Sequence, residues 1–154
     1  MSKSVRRVEA AIADLGLDAV VKRMPNSTRT AQEAADACGC SVGQIVKSMI
    51  FEGEASGELK LILVSGKHNV DLSKAAYLFG ETLLRADAKR VRSDTGFAIG
   101  GVAPIGHLSP TETWFDESLL LYDNVWAAAG APDAVFCIAP QRLLDATGAY
   151  VFTA

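Results

Sequence analysis

Lys47 stands in the segment Gln44-Ile45-Val46-Lys47-Ser48-Met49-Ile50-Phe51, with apolar residues on both sides. A lysine in partly desolvated surroundings is a fixed positive charge, or gives up its proton more easily than an exposed one. Either property suits stabilising an oxyanion as it develops in acyl transfer. A structural reading competes with this. A lysine in the last turn of a helix complements the helix dipole and sends its ammonium to water. The second stretch of interest is Gly96-Phe97-Ala98-Ile99-Gly100-Gly101-Val102-Ala103-Pro104-Ile105-Gly106-His107. Its glycines allow close backbone approach, and exposed N–H groups there can bind a carbonyl or a phosphate. Pro104 would stiffen the segment. A strand followed by a tight structural turn explains the same residues.

Other chemistries find less support. The chain has no G-x-x-x-x-G-K-[ST] phosphate loop and no G-x-S-x-G elbow, and Gly96, Gly100 and Gly101 do not form G-x-G-x-x-G. A Ser-His-Asp arrangement stays open, with His68 and His107 the only histidines to serve as its base. Cys38 and Cys40 form C-x-C rather than C-x-x-C, and Cys137 lies in the apolar run Ala134–Ile138, where it reads as a buried small hydrophobe. Four ligands for a structural zinc are not in view, so neither a metal nor a cofactor is expected.

These residues need elements to hold them. Val5, Val8, Ala11, Ile12 and Leu15 recur at helical spacing and stop at Gly16. Leu17 to Val21 could begin a strand. Thr30 and Glu33 have capping-box spacing, which predicts a helix over 31–38 ending at Gly39. Ser41 and Gln44 repeat the spacing and predict a second helix through Val46 or Lys47, so that Lys47 sits at a helix-to-strand junction. Strands are expected at Ser48–Phe51 and Lys60–Ser65, joined by a loop at Gly53–Gly57. Asp71 should cap a helix running to Phe79, and Asp87 should open another through Arg92. The segment Gly96–Gly106 carries strand-like residues. Trp114, Phe115, Trp126 and Leu119–Leu121 read as core. Val125–Ala128 and Ala134–Ala139 should be strands joined by a turn, with a helix over 141–147 after Pro140 and an edge strand at Val151–Phe152. Helices and strands mix without strict alternation, which favours an α+β domain.

The bulk numbers agree with one such domain. The chain has 154 residues, 49% of them hydrophobic and 21% charged, enough to build a core without disulfides. The basic start, Lys3 to Arg7, has no apolar run after it, so no leader peptide is expected, and no stretch is long enough to span a bilayer. Net charge is −3, which argues against a general nucleic-acid coat. Its distribution is uneven: residues 1–93 hold 14 Lys and Arg against 11 Asp and Glu, and residues 94–154 hold only Arg142 against seven acids. The basic part could still face a phosphate backbone. Lys67-His68 and Lys89-Arg90-Val91-Arg92 are candidate contacts of that kind.

Taken together, the two opening segments resemble those of the YbaK/ProX family of aminoacyl-tRNA deacylases. Val46-Lys47-Ser48-Met49 looks like the family's apolar-Lys-Thr/Ser-apolar segment, and Gly100–Gly106 looks like its G-G-[VIT]-[SA]-P-[LIVF]-G loop. Asp71-Leu72-Ser73-Lys74 lies between them, like the family's D-x-x-K helix start, and Ile138-Ala139-Pro140 resembles its C-terminal end. The resemblance covers residues 20–150. It implies a single editing domain over 1–154, like the one inserted in bacterial prolyl-tRNA synthetases, with a mixed, mostly antiparallel sheet, curved or barrel-like, flanked by short helices. It implies hydrolysis in trans of the ester of a mischarged amino acid on tRNA, with tRNA(Pro) as the expected carrier and the cytoplasm as the place. Lys47, Gly100 and Gly101 would be catalytic. Ser48, Val102, Ala103, Pro104, Gly106, His107 and Ala128 would line the substrate. An ester is already activated, so backbone donors and an oriented water can suffice.

One departure stands out. Where the family often has a polar residue near the penultimate strand's turn, this chain has Ala127-Ala128-Ala129-Gly130-Ala131-Pro132. The small residues Ala103 and Ala128 suggest a small amino acid such as alanine. Partners expected are the 3′ aminoacyl end of tRNA and prolyl-tRNA synthetase, with no membrane or DNA, and a monomer and a homodimer both stay open. The alternative is a non-catalytic module that binds aminoacyl-tRNA or a nucleotide beside a synthetase.

Overall fold

The computed structural model describes residues 2–154, and Met1, where the basic start begins, lies outside them. Eight strands form one sheet around a long central pair. β2 (Ile45–Gly53) and β3 (Leu59–Ser65) run antiparallel, with Val46 opposite Ser65 and Glu52 opposite Leu59. Every residue of β3 is buried, as befits an aliphatic strand covered on both faces. Beyond β3, β5 (Glu112–Asp116) and then β8 (Tyr150–Phe152) add in parallel. On the other side β6 (Val125–Ala128) adds in parallel to β2, followed by antiparallel β7 (Ala134–Ile138) and β1 (Val21–Arg23). The α+β class and the mixed, mostly antiparallel sheet are as expected. The barrel-like alternative is not: three-residue strands β1 and β8 end the order on opposite sides and do not pair.

The far edge of β2 is shared by two strands that leave an interval between them. The Gly66 N–H donates to the Ile45 carbonyl (2.8 Å), and the Glu54 N–H donates to the Thr82 carbonyl (2.9 Å). In an antiparallel ladder successive residues address opposite edges. Odd-numbered residues of β2 therefore address β3, and even-numbered ones address the far edge. β6 occupies that edge at Ile45–Val46, and β4 (Leu83–Arg85) occupies it at Phe51–Gly53. Ser48 and Ile50 have no strand opposite their far-edge backbone.

Helices close the core. α1 (Lys3–Asp14) buries Val5, Val8 and Ile12 in one cluster with Phe97, Phe115, Phe136 and Leu143. Each such side chain stabilises by about 1.5–3 kcal/mol when fully buried. α2 (Ala31–Cys38) starts on the expected capping box: Thr30 Oγ1 accepts from the Glu33 N–H (3.1 Å), and Glu33 Oε1 accepts from the Thr30 N–H (3.2 Å). It ends at Gly39, whose φ of 67° is left-handed. α3 (Ala75–Phe79), α4 (Ala88–Thr95) and α5 (Pro140–Thr147) follow near their predicted places.

Three expectations need correcting. The helix predicted after Ser41 is a single 3₁₀ turn, Val42–Gln44, because β-branched Ile45 and Val46 already pair in β2. Residues 96–107 form no strand. Leu121 is 80% exposed, and Trp114 and Trp126 are only partly buried, although Leu119 and Phe115 are core. No helix among the described residues is long and apolar enough to cross a membrane.

Candidate active site

Lys47 lies inside β2 rather than at the end of a helix, one residue past the pairing with β6. Its ammonium donates to the backbone carbonyl of His68 and to Asn69 Oδ1 (3.2 Å), both in the turn that leaves β3. Burial pulls its pKa below the ordinary lysine value, and the nearby charge of Asp116 offsets part of that. The cation is thus committed to two acceptors, with a third N–H left over. Its neighbour Ser48 has a buried Oγ with no hydrogen-bond partner among the described residues. Such an atom is uncommon in a finished interior and marks a place where a ligand or water is owed.

The glycine segment reaches the same place from the opposite wall. Gly100 has φ +97°, a conformation L side chains rarely adopt, and a Cβ there would stand 3.1 Å from Arg29 Nε. The missing side chain is what lets Arg29 lie across the segment. The Gly100 N–H makes no hydrogen bond among the described residues. Gly101 behaves differently. It is buried, its N–H donates to the Ala98 carbonyl (3.0 Å), and a Cβ would press on the Ala131 backbone at 3.3 Å. Gly101 closes the turn and packs it against the β6–β7 connection.

A cavity of about 770 Å³ opens between these walls, lined by Arg29, Lys47, Ser48, Gly100, Val102 and Ala128 among others. No carboxylate is among its lining residues. The other predicted positions fall elsewhere. Ala103 is wholly buried. Pro104, Gly106 and His107 line a second cavity of about 380 Å³ behind the segment. There the His107 Nε2–H donates to the Ala103 carbonyl (2.6 Å), and burial lowers the pKa of the ring.

Sequence reasoning missed two residues. Arg29 precedes α2 and carried no motif, only a positive charge. Asp116, at the end of β5, is buried and accepts from His68 Nδ1 (2.9 Å). Ser118 Oγ also lies 3.3 Å from that same Nδ1. Serine and aspartate thus share one ring nitrogen, whereas a catalytic relay needs one on each. The Ser-His-Asp possibility left open by the sequence does not form here. No group of three or more His, Cys, Asp or Glu side chains able to hold a metal occurs among the described residues.

Comparison with known proteins points one way. Residues 25–146 match the family model described as the aminoacyl-tRNA editing domain. A solved structure of a candidate trans-editing enzyme for prolyl-tRNA synthetase matches with a TM-score of 0.91 at 51% identity, over 99% of this chain and 97% of that one. The uncharacterized protein YwhH of Bacillus subtilis is 30% identical over 125 residues, 81% of this chain and 79% of its own. EbsC of Enterococcus faecalis, a candidate Cys-tRNA(Pro)/Cys-tRNA(Cys) deacylase, is 26% identical over 119 residues, 77% of this chain and 72% of its own.

Proposed function

The chain belongs to the aminoacyl-tRNA editing domain family and is a hydrolase of mischarged aminoacyl-tRNA; from this premise we propose that it acts in trans on tRNA(Pro) in the cytoplasm, as one editing domain over 1–154, and releases a small amino acid. The observation that carries the reading is the cavity that Lys47 and Gly100 line together, with no carboxylate among the lining residues. Such a place favours an anion or a carbonyl becoming one. Water attacks the ester carbon, the bond from that carbon to the ribose oxygen breaks, and the proton from water ends on the ribose hydroxyl. The remaining Lys47 N–H and the Gly100 N–H stabilise the charge on the carbonyl oxygen. Arg29, which lines the same cavity, faces the phosphate of the terminal nucleotide. Ala127, Ala128 and Val102 supply a short apolar wall that suits a small side chain, while the full cavity has room for the sugar as well.

The names of the relatives support prolyl-tRNA as the setting, since one is a candidate trans-editing enzyme for prolyl-tRNA synthetase and another a candidate deacylase of Cys-tRNA(Pro). The test is deacylation of tRNA(Pro) charged in turn with alanine, serine, cysteine and proline. Release of one or more of the first three with proline spared supports the reading. Release of none, or of proline equally, contradicts it.

A further inference from the structure

Asp116 is a buried carboxylate that the mechanism above leaves unused. Its side chain is 1% exposed. Its Oδ2 accepts from the Ser65 N–H (3.0 Å) and from His68 Nδ1 (2.9 Å), and its Oδ1 accepts from the Ser118 N–H (2.9 Å). A carboxylate taken out of water is costly unless its oxygens are matched. Burial works to raise its pKa, yet the bonds from His68, Ser65 and Ser118 hold it below the usual carboxylate value. Two of those partners, Ser65 and His68, bracket the turn that leaves β3. The same turn presents both acceptors of the Lys47 ammonium, the His68 carbonyl and Asn69 Oδ1.

From this shared turn we infer that Asp116 is a positioning residue for deacylation: through the His68 ring it fixes the carbonyl and amide that hold Lys47. The inference rests on Lys47 acting as proposed above. Of the charged and titratable residues near Lys47, His68 presents its carbonyl from the turn, Arg29 lines the same cavity from the segment before α2, and Asp116 on β5 is the acid whose charge acts on it. Burial draws the Lys47 ammonium toward neutrality, and Asp116 opposes it. With two N–H groups held by the turn, the third is aimed rather than free to rotate, which is the preorganisation that electrostatic catalysis needs.

The first test needs no substrate. Lys47 is titrated by NMR through its labelled ε-carbon in the wild type and in Asp116→Asn. The inference predicts a lower Lys47 pKa in the variant, and an unchanged value in a folded variant overturns it. The second uses steady-state hydrolysis of alanyl-tRNA(Pro). His68→Ala, on a partly exposed ring, leaves the fold intact even if Asp116→Asn does not. It should lower kcat about tenfold, the scale of one charge-assisted hydrogen bond, with KM within about twofold. His68→Gln, which restores a donor to Asp116, should recover most of the rate. In a Lys47→Met background the His68→Ala loss should vanish, because the residue acts through Lys47. Losses that multiply across both backgrounds, or no recovery by glutamine, would show a structural role only and overturn the inference. Full activity of Lys47→Met would instead defeat the underlying reading of Lys47, while leaving the NMR result to stand by itself.

Discussion

The two sides of the Gly96–His107 segment are built to different standards. Behind it, every polar group with a role has a partner. The His107 Nε2–H is bonded to the Ala103 carbonyl, Arg7 donates to the carbonyls of Gly96 and Gly106, and the Arg7 guanidinium lies 5.0 Å from the centre of the Phe97 ring. The rings of Phe97 and His107 meet edge to face at 5.2 Å. In front, the Gly100 N–H has no partner among the described residues. Gly100 is partly exposed, so its N–H can bind water or a ligand at no burial cost, whereas the buried groups behind must be matched within the protein. The contrast marks the back as scaffold and leaves the front with donors free for a ligand.

Truncating the scaffold side gives the largest effect. Phe97 is fully buried, and Phe97→Ala should cost about 3–5 kcal/mol in chemical unfolding. Activity should be lost only as far as the protein unfolds. Gly100→Ala probes the front. Its φ of +97° makes alanine strained, at about 1–3 kcal/mol, and the new methyl displaces Arg29. Deacylation should fall by more than this loss of stability explains. A variant that loses stability but keeps its full rate would break the contrast.

Two pH effects are smaller and have opposite signs. Lys47 must be protonated to act, and its folded pKa is lower than 10.5. The enzyme-dependent rate, corrected for spontaneous ester hydrolysis, should therefore fall at a lower pH than an exposed lysine would dictate. His107 is depressed below 6.5, first by burial. Its contribution to stability is complete above 6.5 and is lost as pH falls from there through the folded value. Unfolding followed across that window should show the decline, and His107→Gln should flatten it. The smallest effect is Tyr77→Ser on α3. Tyr77 is 89% exposed and far from either side of the segment in role, so stability should change by less than about 0.5 kcal/mol.

Much of the architecture could be read from the residues because the local cues and the final structure agree. Thr30 and Glu33 make the capping box that their spacing announces, Gly39 stops the helix, and the aliphatic run of β3 is buried throughout. Ser41 and Gln44 show where local cues mislead. The Gln44 side chain does reach back to the Ser41 N–H (3.1 Å), but pairing of Ile45 and Val46 with β3 overrides helix propagation after one turn. That single override moves Lys47 from a helix terminus to the middle of a strand, beside the interval between β6 and β4. The segment around Gly100 was legible as a place of close approach, though not which glycine would face the cavity, since packing against Ala131 decides that. Asp116 and His68 are 48 residues apart. Nothing in the spacing of a single sequence brings them together; only the parallel pairing of β5 with β3 does.

The central claim is that a carboxylate-free cavity built around the Lys47 ammonium hydrolyses the aminoacyl ester. The most direct test is single-turnover deacylation of alanyl-tRNA(Pro) by wild type and Lys47→Ala, with both shown to be folded by their melting temperatures. The account predicts a rate loss of at least about a hundredfold, the scale of removing one oxyanion-stabilising donor, with little change in melting temperature. A folded Lys47→Ala that hydrolyses the ester at the wild-type rate would contradict it.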